Sequence, residues 1–250
     1  KVMQILADNP PEGWGAEMVS SHSNSGIIKK INAWRRVRAF LKVNKERFDV
    51  VHIHSAAGVS YSRKLNLAKL ANKLNIPVII HIHSGQFDIF AKKRKNIKRE
   101  LVPFTLAVLT NSWQDKLQPI IGLCSTISNP IDPNIRIGDR GKRKSKQLLL
   151  LGRADPVKGH EFAFRLAREV RDKGWELLAT GTNHSEKGIT GRGWVSEEVK
   201  YEQIHESTAL LIPSKFEGQP MVMFEAIKSG CQVIASQNIE EIPDCIYSAP

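Results

Sequence analysis

Cysteine is scarce in this chain of 250 residues, which contains three: Cys124, Cys231 and Cys245. None belongs to a Cys-x-x-Cys pair or has the Cys/His spacing of a zinc site, so the pattern excludes a disulfide scaffold and a cysteine-based zinc motif. Few cysteines are typical of proteins from a reducing compartment, and we therefore expect a cytoplasmic location.

Long apolar runs are absent as well. No run approaches the ~18–20 residues that a membrane span needs, and no signal-peptide pattern opens the chain. Because the first residue is Lys1 rather than methionine, we expect a trimmed amino terminus. The composition, 41% hydrophobic and 25% charged, is that of a globular protein and excludes disorder and collagen.

The positive charge is concentrated in one part of the chain. Residues 1–146 contain 26 Lys and Arg against 10 Asp and Glu, whereas residues 147–250 contain 11 against 15. This asymmetry predicts two units with different partners. For the basic unit we expect an anionic partner: nucleic acid, a charged membrane surface or a phosphorylated acceptor.

Short β-branched runs alternate with longer helical patterns, as in parallel βαβ units. Strands are predicted at Val2–Ala7, Asp49–His54, Pro77–His83, Leu106–Thr110, Gln147–Leu151, Glu176–Thr180, Ala209–Ile212 and Gln232–Ala235. Helices are predicted from Ala16 and at Gly26–Phe48, Ser62–Leu74, His160–Lys173, Ser196–His205 and Pro220–Ser229. The Pro-, Gly- and Lys-rich stretch 128–146 interrupts the pattern, so we expect domains at 1–128 and 147–250 joined by a linker at 129–146.

Two motifs follow predicted strands of the second domain. In LLGRADPVKGH (150–160), Arg153 and Lys158 can converge on a diphosphate at the start of a helix. In KFEGQPMVMFEAIKSG (215–230), Glu217 and Glu225 are eight positions apart, so both carboxylates can face one pocket near the start of the predicted helix. Either motif taken alone is also compatible with solvated surface charges.

Together the two motifs resemble the donor-binding half of retaining glycosyltransferases of family 4, which have the GT-B fold. The matching residues are Gly152, Arg153, Lys158, Gly159, Pro213, Ser214, Glu217, Gly218, Glu225, Ala226, Gly230 and Val233 to Ser236. The resemblance implies an α/β chain with two Rossmann-like parallel-sheet domains. The first would receive the acceptor and the second would bind a nucleotide-sugar donor.

The resemblance assigns roles to residues of the second domain. Arg153 and Lys158 would neutralise the donor diphosphate as the nucleotide leaves. Glu225 would hold the ribose hydroxyls, and Glu217 would lie beside the donor sugar. Backbone amides would line the donor pocket at Gly218, Gln219, Pro220 and Met221.

The first domain resembles the family more weakly, in Gly13–Glu17, DVVHIHS (49–55) and PVIIHIHSGQF (77–87). His83 matches the histidine that contacts the donor sugar near the reacting centre, with His81 as an alternative. Gly15 would lie against the diphosphate. His52 and His54 are interpreted as packing or wall residues.

The resemblance implies retention of configuration and no metal. The sequence contains no Asp-x-Asp, the metal-binding signature of the other major glycosyltransferase fold. The fixed cations would serve the departing phosphate instead, and no cofactor is expected besides the nucleotide-sugar co-substrate.

The chain departs from the family pattern in three places. Gly181-Thr182-Asn183 replaces the expected Gly-x-Gly, and His83-Ser84-Gly85 replaces His-Gly. The segment between Ala16 and Asp49 has room for only part of the usual elements, so we expect an abbreviated N-terminal domain. Because the family continues well beyond Pro250, we expect a truncated or minimal member, with a donor domain incomplete at its C-terminus.

The basic residues of the first domain suggest where it acts. The predicted helix at Gly26–Phe48 has an apolar stripe near the helical period, at Ile27, Ile31, Trp34, Leu41 and Phe48. Its residues 29–47 contain eight cations, together with Trp34 and Phe40, which suits anionic headgroups. We expect peripheral binding on the inner face of the membrane and a lipid-linked saccharide or polysaccharide precursor as acceptor. A solvated helix face that packs by its apolar stripe explains the pattern equally well.

Three other functions are compatible with parts of the sequence. A nucleic-acid-binding protein would suit the isoelectric point of about 9.7, but no RNP, zinc-finger or helix-turn-helix signature is present, so no nucleic acid is expected. A non-catalytic GT-B subunit of a glycosyltransferase complex would keep the fold and lack turnover. A nucleotide-sugar epimerase of the same fold is disfavoured by the spacing of the two glutamates.

Overall fold

A computed structural model describes residues 1–22, 26–239, 242 and 247–249. Cys245 lies outside the described residues. The chain divides into two compact units, Lys1–Pro130 and Ile131–Pro250. The division falls at the N-terminal end of the predicted linker, and residues 131–146 belong to the second unit.

The first unit has a parallel sheet in which the strands follow one another in chain order. Its strands are β1 (Val51–Ser55), β2 (Val78–Ile82), β3 (Thr105–Val108) and β4 (Ser125–Thr126), paired β1-β2-β3-β4. Its helices are α1 (Val2–Asp8), α2 (Ile27–Val43), α3 (Val59–Lys73), α4 (Phe87–Lys92), α5 (Ile97–Leu101) and α6 (Asn111–Ile121).

Two predictions for the amino-terminal part are wrong. The strand predicted at Val2–Ala7 is the helix α1, and the helix predicted from Ala16 is absent, since the described residues from 16 to 22 are not helical. The run Met-Gln-Ile-Leu-Ala contains good helix formers, which explains α1. In the second stretch the Ser20 hydroxyl accepts from the His22 amide at 3.3 Å, a local bond that competes with helix formation.

The apolar stripe expected along α2 is only partly correct. Leu41 is buried, together with Ala33 and Val37, whereas Ile27 and Ile31 of the expected stripe are exposed. The first turns of α2 therefore present apolar side chains to solvent.

The two faces of the first sheet differ in chemistry. On one face Ile53, Ile80 and Val108 join the hydrophobic core formed with α3 and α6. Because successive residues of a strand point to opposite faces, His54 and His81, which are paired in the β1–β2 register, lie on the other face.

The second unit has a parallel sheet in which the strand order reverses. Its strands are β5 (Gln147–Leu150), β6 (Glu176–Ala179), β7 (Ile189–Gly191), β8 (Ala209–Ile212), β9 (Gln232–Ser236) and β10 (Tyr247–Ala249), in the order β10-β9-β8-β5-β6-β7. Its helices are α7 (His160–Val170), α8 (Glu197–Glu206) and α9 (Met221–Lys228). The reversal lies between β5 and β8, where loops at the carboxyl ends of the strands leave room for a ligand.

Helices cover both faces of this sheet. Leu149 lies in a core with Ile204 of α8 and Met223 of α9, whereas Leu148 lies in a second core with Ala163 of α7. The strands are buried on both sides, which explains their unbroken apolar runs. The confirmed fold class is α/β with two parallel sheets.

Gly159 brings the loop after β5 against the loop after β8. Its φ is +74°, and an added Cβ would overlap the carbonyl oxygen of Pro213. Only glycine allows this backbone conformation and this close approach together.

We predict that Gly159→Ala destabilises the protein by about 2–4 kcal/mol, combining left-handed strain with overpacking. Gly174→Ala is the matched control, because its φ is +82° but its nearest neighbour is the flexible Lys146 side chain at 3.6 Å. The control should lose about 1 kcal/mol. Urea denaturation measures both, and equal losses would contradict the close contact.

Candidate functional site

The loop after β5 is shaped by an aspartate. Oδ1 of Asp155 accepts hydrogen bonds from the backbone N–H groups of Val157 at 2.9 Å and Lys158 at 3.2 Å. Arg153 precedes this turn, and its side chain is 72% exposed, 3.8 Å from the Asp155 carboxylate. The loop therefore offers one cation to solvent and turns the other, Lys158, inward.

The loop after β8 meets this turn directly. Nζ of Lys158 forms an ion pair with Oε1 of Glu217, and the Ser214 hydroxyl donates to the same oxygen at 3.2 Å. The backbone N–H of Lys215 donates to the carbonyl of Val157 at 2.8 Å. Two residues proposed from separate motifs are thus in contact at the point where the strand order reverses.

Glu225 lies in the second turn of α9, as expected, but its carboxylate is buried. It is 1% exposed, and its Oε2 accepts from Nζ of Lys200 on α8 at 2.8 Å. The same ammonium donates to Glu197 at 2.8 Å. The carboxylate is therefore held by a neighbouring helix, and its assignment to the ribose stays a prediction.

The segment from Gly218 to Met221 leads into α9. Met221 is the first residue of the helix, and Pro220 is its N-cap rather than a residue of the first turn. Gly218 and Pro220 are buried. The free N–H groups of a first helical turn attract anions, which agrees with the predicted use of amides here.

In the first unit, Gly15 lies in a stretch without helix or strand between α1 and α2. A Cβ added at Gly15 would contact no atom within 4 Å, so no close backbone approach requires glycine there. Its proposed place against a diphosphate stays a prediction, as does the role of His83.

His83 belongs to a cluster of four histidines at the carboxyl end of β1 and β2. Its Nε2 lies 2.7 Å from Nδ1 of His54, and Nε2 of His52 lies 3.3 Å from Nδ1 of His81. Burial, with some contribution from neighbouring histidines, lowers the pKa of His54 to about 2, of His81 to about 3 and of His83 to about 4. Partial desolvation of its ring by the neighbouring groups lowers the pKa of His52 as well, so all four imidazoles are neutral at neutral pH.

A cavity of about 520 Å³ lies at the other end of the first sheet. Its lining includes Lys73, the last residue of α3, and Phe104, which immediately precedes β3. The cavity therefore opens at the amino ends of the strands. Arg38, Lys69 and Arg99 also line it and make it strongly basic. It is separate from the strand ends that carry His83.

Residues 145–248 match the family model described as glycosyl transferases group 1. The matched family is one of glycosyltransferases. The match covers the loops after β5 and β8, the helix α9 and both glutamates, and it supports glycosyl transfer as the chemistry of the second unit.

A curated relative and two solved structures extend the comparison. An uncharacterized 41.2 kDa protein in the cps region of Klebsiella pneumoniae is 26% identical over 232 residues, covering 82% of this chain and 64% of that protein. The sucrose-phosphate synthase of Thermosynechococcus elongatus superposes with a TM-score of 0.63 at 15% identity, covering 89% of this chain and 65% of that one. The lipopolysaccharide outer core galactosyltransferase WaaB gives a TM-score of 0.58 at 18% identity, covering 100% of this chain and 78% of that one.

At these identities the solved structures show the fold, and the predicted GT-B class with two Rossmann-like sheets is confirmed. The chain spans less than two thirds of the curated relative and of the sucrose-phosphate synthase. Among the described helices, none combines the length and apolarity needed to cross a bilayer.

Sequence reasoning missed Lys200, the partner of Glu225. Lys200 is buried on the same face of α8 as Ile204, four positions later. A lysine at a position where the helical period requires an apolar side chain was the available signal, and it points to a buried carboxylate nearby.

We predict that Lys200→Met destabilises the protein by about 3 kcal/mol, because it removes the cation from the buried Glu225 carboxylate. Lys144→Met is the control, since Lys144 forms an exposed pair with Glu206. That control should cost less than about 1 kcal/mol in urea denaturation. Equal losses for the two variants would show that the buried pair does not stabilise the unit.

Proposed function

We propose that this protein is a retaining glycosyltransferase of family 4 that transfers a sugar from a nucleotide-sugar to an acceptor. One observation supports this most strongly. In the two loops at the reversal of strand order, Lys158 contacts Glu217, Arg153 belongs to the same loop as Lys158, and α9 begins four residues after Glu217.

The chemistry follows from the charges that develop when the bond between sugar and phosphate breaks. The sugar becomes oxocarbenium-like, and the leaving nucleotide gains negative charge on its terminal phosphate. Lys158 and the exposed Arg153 would stabilise that phosphate, with help from the N–H groups at the start of α9. With these fixed charges, we propose that the donor needs no metal ion.

Glu217 would act as more than a contact to the sugar. In the absence of donor its carboxylate neutralises Lys158, so this part of the site contains no uncompensated charge. When the diphosphate takes over Lys158, the Glu217 carboxylate is released toward the donor sugar. There it can accept hydrogen bonds from sugar hydroxyls and stabilise positive charge on the ring.

For the acceptor we propose a saccharide, lipid-linked or part of a polysaccharide precursor, delivered at an anionic membrane surface. Support comes from α2, in which Ile27 and Ile28 are 76% and 75% exposed beside Lys29 and Lys30. Exposed isoleucines flanked by cations suit the boundary between headgroups and acyl chains.

We predict that Lys158→Ala weakens binding of the donor about tenfold or more, through loss of a charge-assisted hydrogen bond. Glu217→Gln should keep or strengthen nucleotide binding and reduce turnover, because it removes the competing carboxylate and the group beside the sugar. Lys187→Ala is the control, an exposed lysine of the same unit.

Thermal-shift and calorimetric titrations with UDP-, GDP- and ADP-sugars in EDTA measure these effects. Unchanged donor binding by Lys158→Ala would contradict the phosphate assignment. Donor binding without turnover on any saccharide acceptor would favour the non-catalytic subunit.

We predict that Ile28→Glu abolishes co-sedimentation with vesicles containing phosphatidylserine, because it places a negative charge at the proposed membrane boundary. Leu123→Glu introduces the same charge at another exposed position, 83% exposed, and should leave binding intact. Equal loss in both variants would indicate a general charge effect, and no binding by the unmodified protein would contradict the proposal.

A further inference from the structure

The histidine cluster arises from a repeated pattern in two neighbouring strands. Each strand contains His-Ile-His, at 52–54 in β1 and at 81–83 at the end of β2. Strand alternation puts both histidines of each triplet on one face, and the register pairs His54 with His81. Four imidazoles are therefore gathered on the face of the first sheet that does not join its hydrophobic core.

The rings are close and partly stacked. The centroids of His52 and His81 are 5.4 Å apart with the planes inclined by 8°, and those of His52 and His54 are 4.4 Å apart. One nitrogen from each of His52, His54 and His81 lies within 4.8 Å of the others. Three nitrogen ligands are thus already within reach of a single ion.

This spacing can be compared with that of a bound metal. Zinc binds histidine nitrogen at about 2.0–2.1 Å, so two ligands in a tetrahedral arrangement are about 3.3 Å apart. The nitrogens of His52 and His81 are 3.3 Å apart. The third nitrogen lies within 4.8 Å of the others, so small side-chain rotations can bring it to the same spacing.

We propose that His52, His54 and His81 bind one divalent transition-metal ion of the zinc type. Three neutral imidazoles suit Zn²⁺, Ni²⁺ or Cu²⁺, whereas Mg²⁺ and Ca²⁺ require oxygen ligands. Three histidines leave a fourth position for water, as in zinc sites that keep one coordination place open.

Two further observations fit this assignment. His52 is exposed, which gives an ion a path from solvent. When Nδ1 of His54 donates its hydrogen to Nε2 of His83, Nε2 of His54 carries a lone pair. Such a bond from the distal nitrogen of a ligand fixes its tautomer and orientation, so His83 would be a positioning residue for the ion.

The proposed ion contacts differ from the proposed diphosphate contacts, which belong to the loops after β5 and β8 of the second unit and for which we propose no metal. The ion would belong to the first unit and would be bound whether or not a nucleotide-sugar is present. Direct metal binding therefore tests it independently of glycosyl transfer.

The test uses the 250-residue protein without a polyhistidine tag, stripped with EDTA and dialysed. Titration with Co²⁺ should give the strong visible absorption of four-coordinate cobalt, and calorimetry with Zn²⁺ should give one ion per chain. His52→Ala should weaken Zn²⁺ binding about tenfold or more. Loss of a residue that only hydrogen-bonds to a metal ligand already lowers metal affinity about 10–100-fold, and His52 would be a ligand itself. His184→Ala, which removes an exposed histidine of the second unit, should bind as the unmodified protein does.

His52→Cys provides a second variant, because a thiolate can replace the lost imidazole and should restore binding of Zn²⁺. Circular dichroism confirms that each variant is folded. Absence of the cobalt absorption in the unmodified protein, or equal Zn²⁺ affinity in His52→Ala and the unmodified protein, would overturn the proposal. In that case the four histidines are a stack of neutral rings that satisfy one another by hydrogen bonds.

Discussion

The reversal of strand order between β5 and β8 determines where the second unit can bind a ligand. From β5 the chain adds β6 and β7 on one side of the sheet, and it then adds β8 to β10 on the other side. The helix α7 packs on one face of the sheet, and α8 and α9 pack on the opposite face. The loops after β5 and β8 are therefore neighbours without a helix crossing between them. The cationic turn, the carboxylate of Glu217 and the start of α9 all depend on this arrangement.

Two ion pairs of the second unit differ in how deeply they are buried. Lys200 and Glu225 are paired between α8 and α9, where an isolated charge would be costly. Lys158 and Glu217 are less buried and belong to loops. The deeper pair fixes two helices in place, whereas the shallower pair lies where a ligand can exchange for one of its members.

The second unit was predictable because its local signals agree. The apolar runs at 147–151 and 209–212 indicate buried strands, and Gly152 and Gly159 indicate a tight loop around Lys158. β5 and β8 lie where these runs predict them. The short helices α4 and α5 were missed because they have fewer than two turns and no regular apolar period. The burial of Glu225 was also missed, because it depends on Lys200, 25 positions away, and the local pattern around Lys200 does not identify which carboxylate it contacts.

The amino-terminal region shows the opposite case. Residues 2–7 contain two β-branched side chains and four good helix formers, so the helix propensity of the segment favours α1 over the predicted strand. A strand also needs a partner in a sheet, and the described ladder of the first unit begins at β1 without one from this segment. Propensity and tertiary context therefore agree on the helix.

The ion pair between Lys158 and Glu217 has a consequence for selectivity among anions. Any anion that takes the ammonium must displace a carboxylate that is tethered to the same chain. A single weak anion such as chloride gains too little to do so. A pyrophosphate that reaches Arg153 and the helix amides at the same time gains several contacts at once. At the proposed donor site, the tethered carboxylate would therefore compete with simple salts for the Lys158 ammonium.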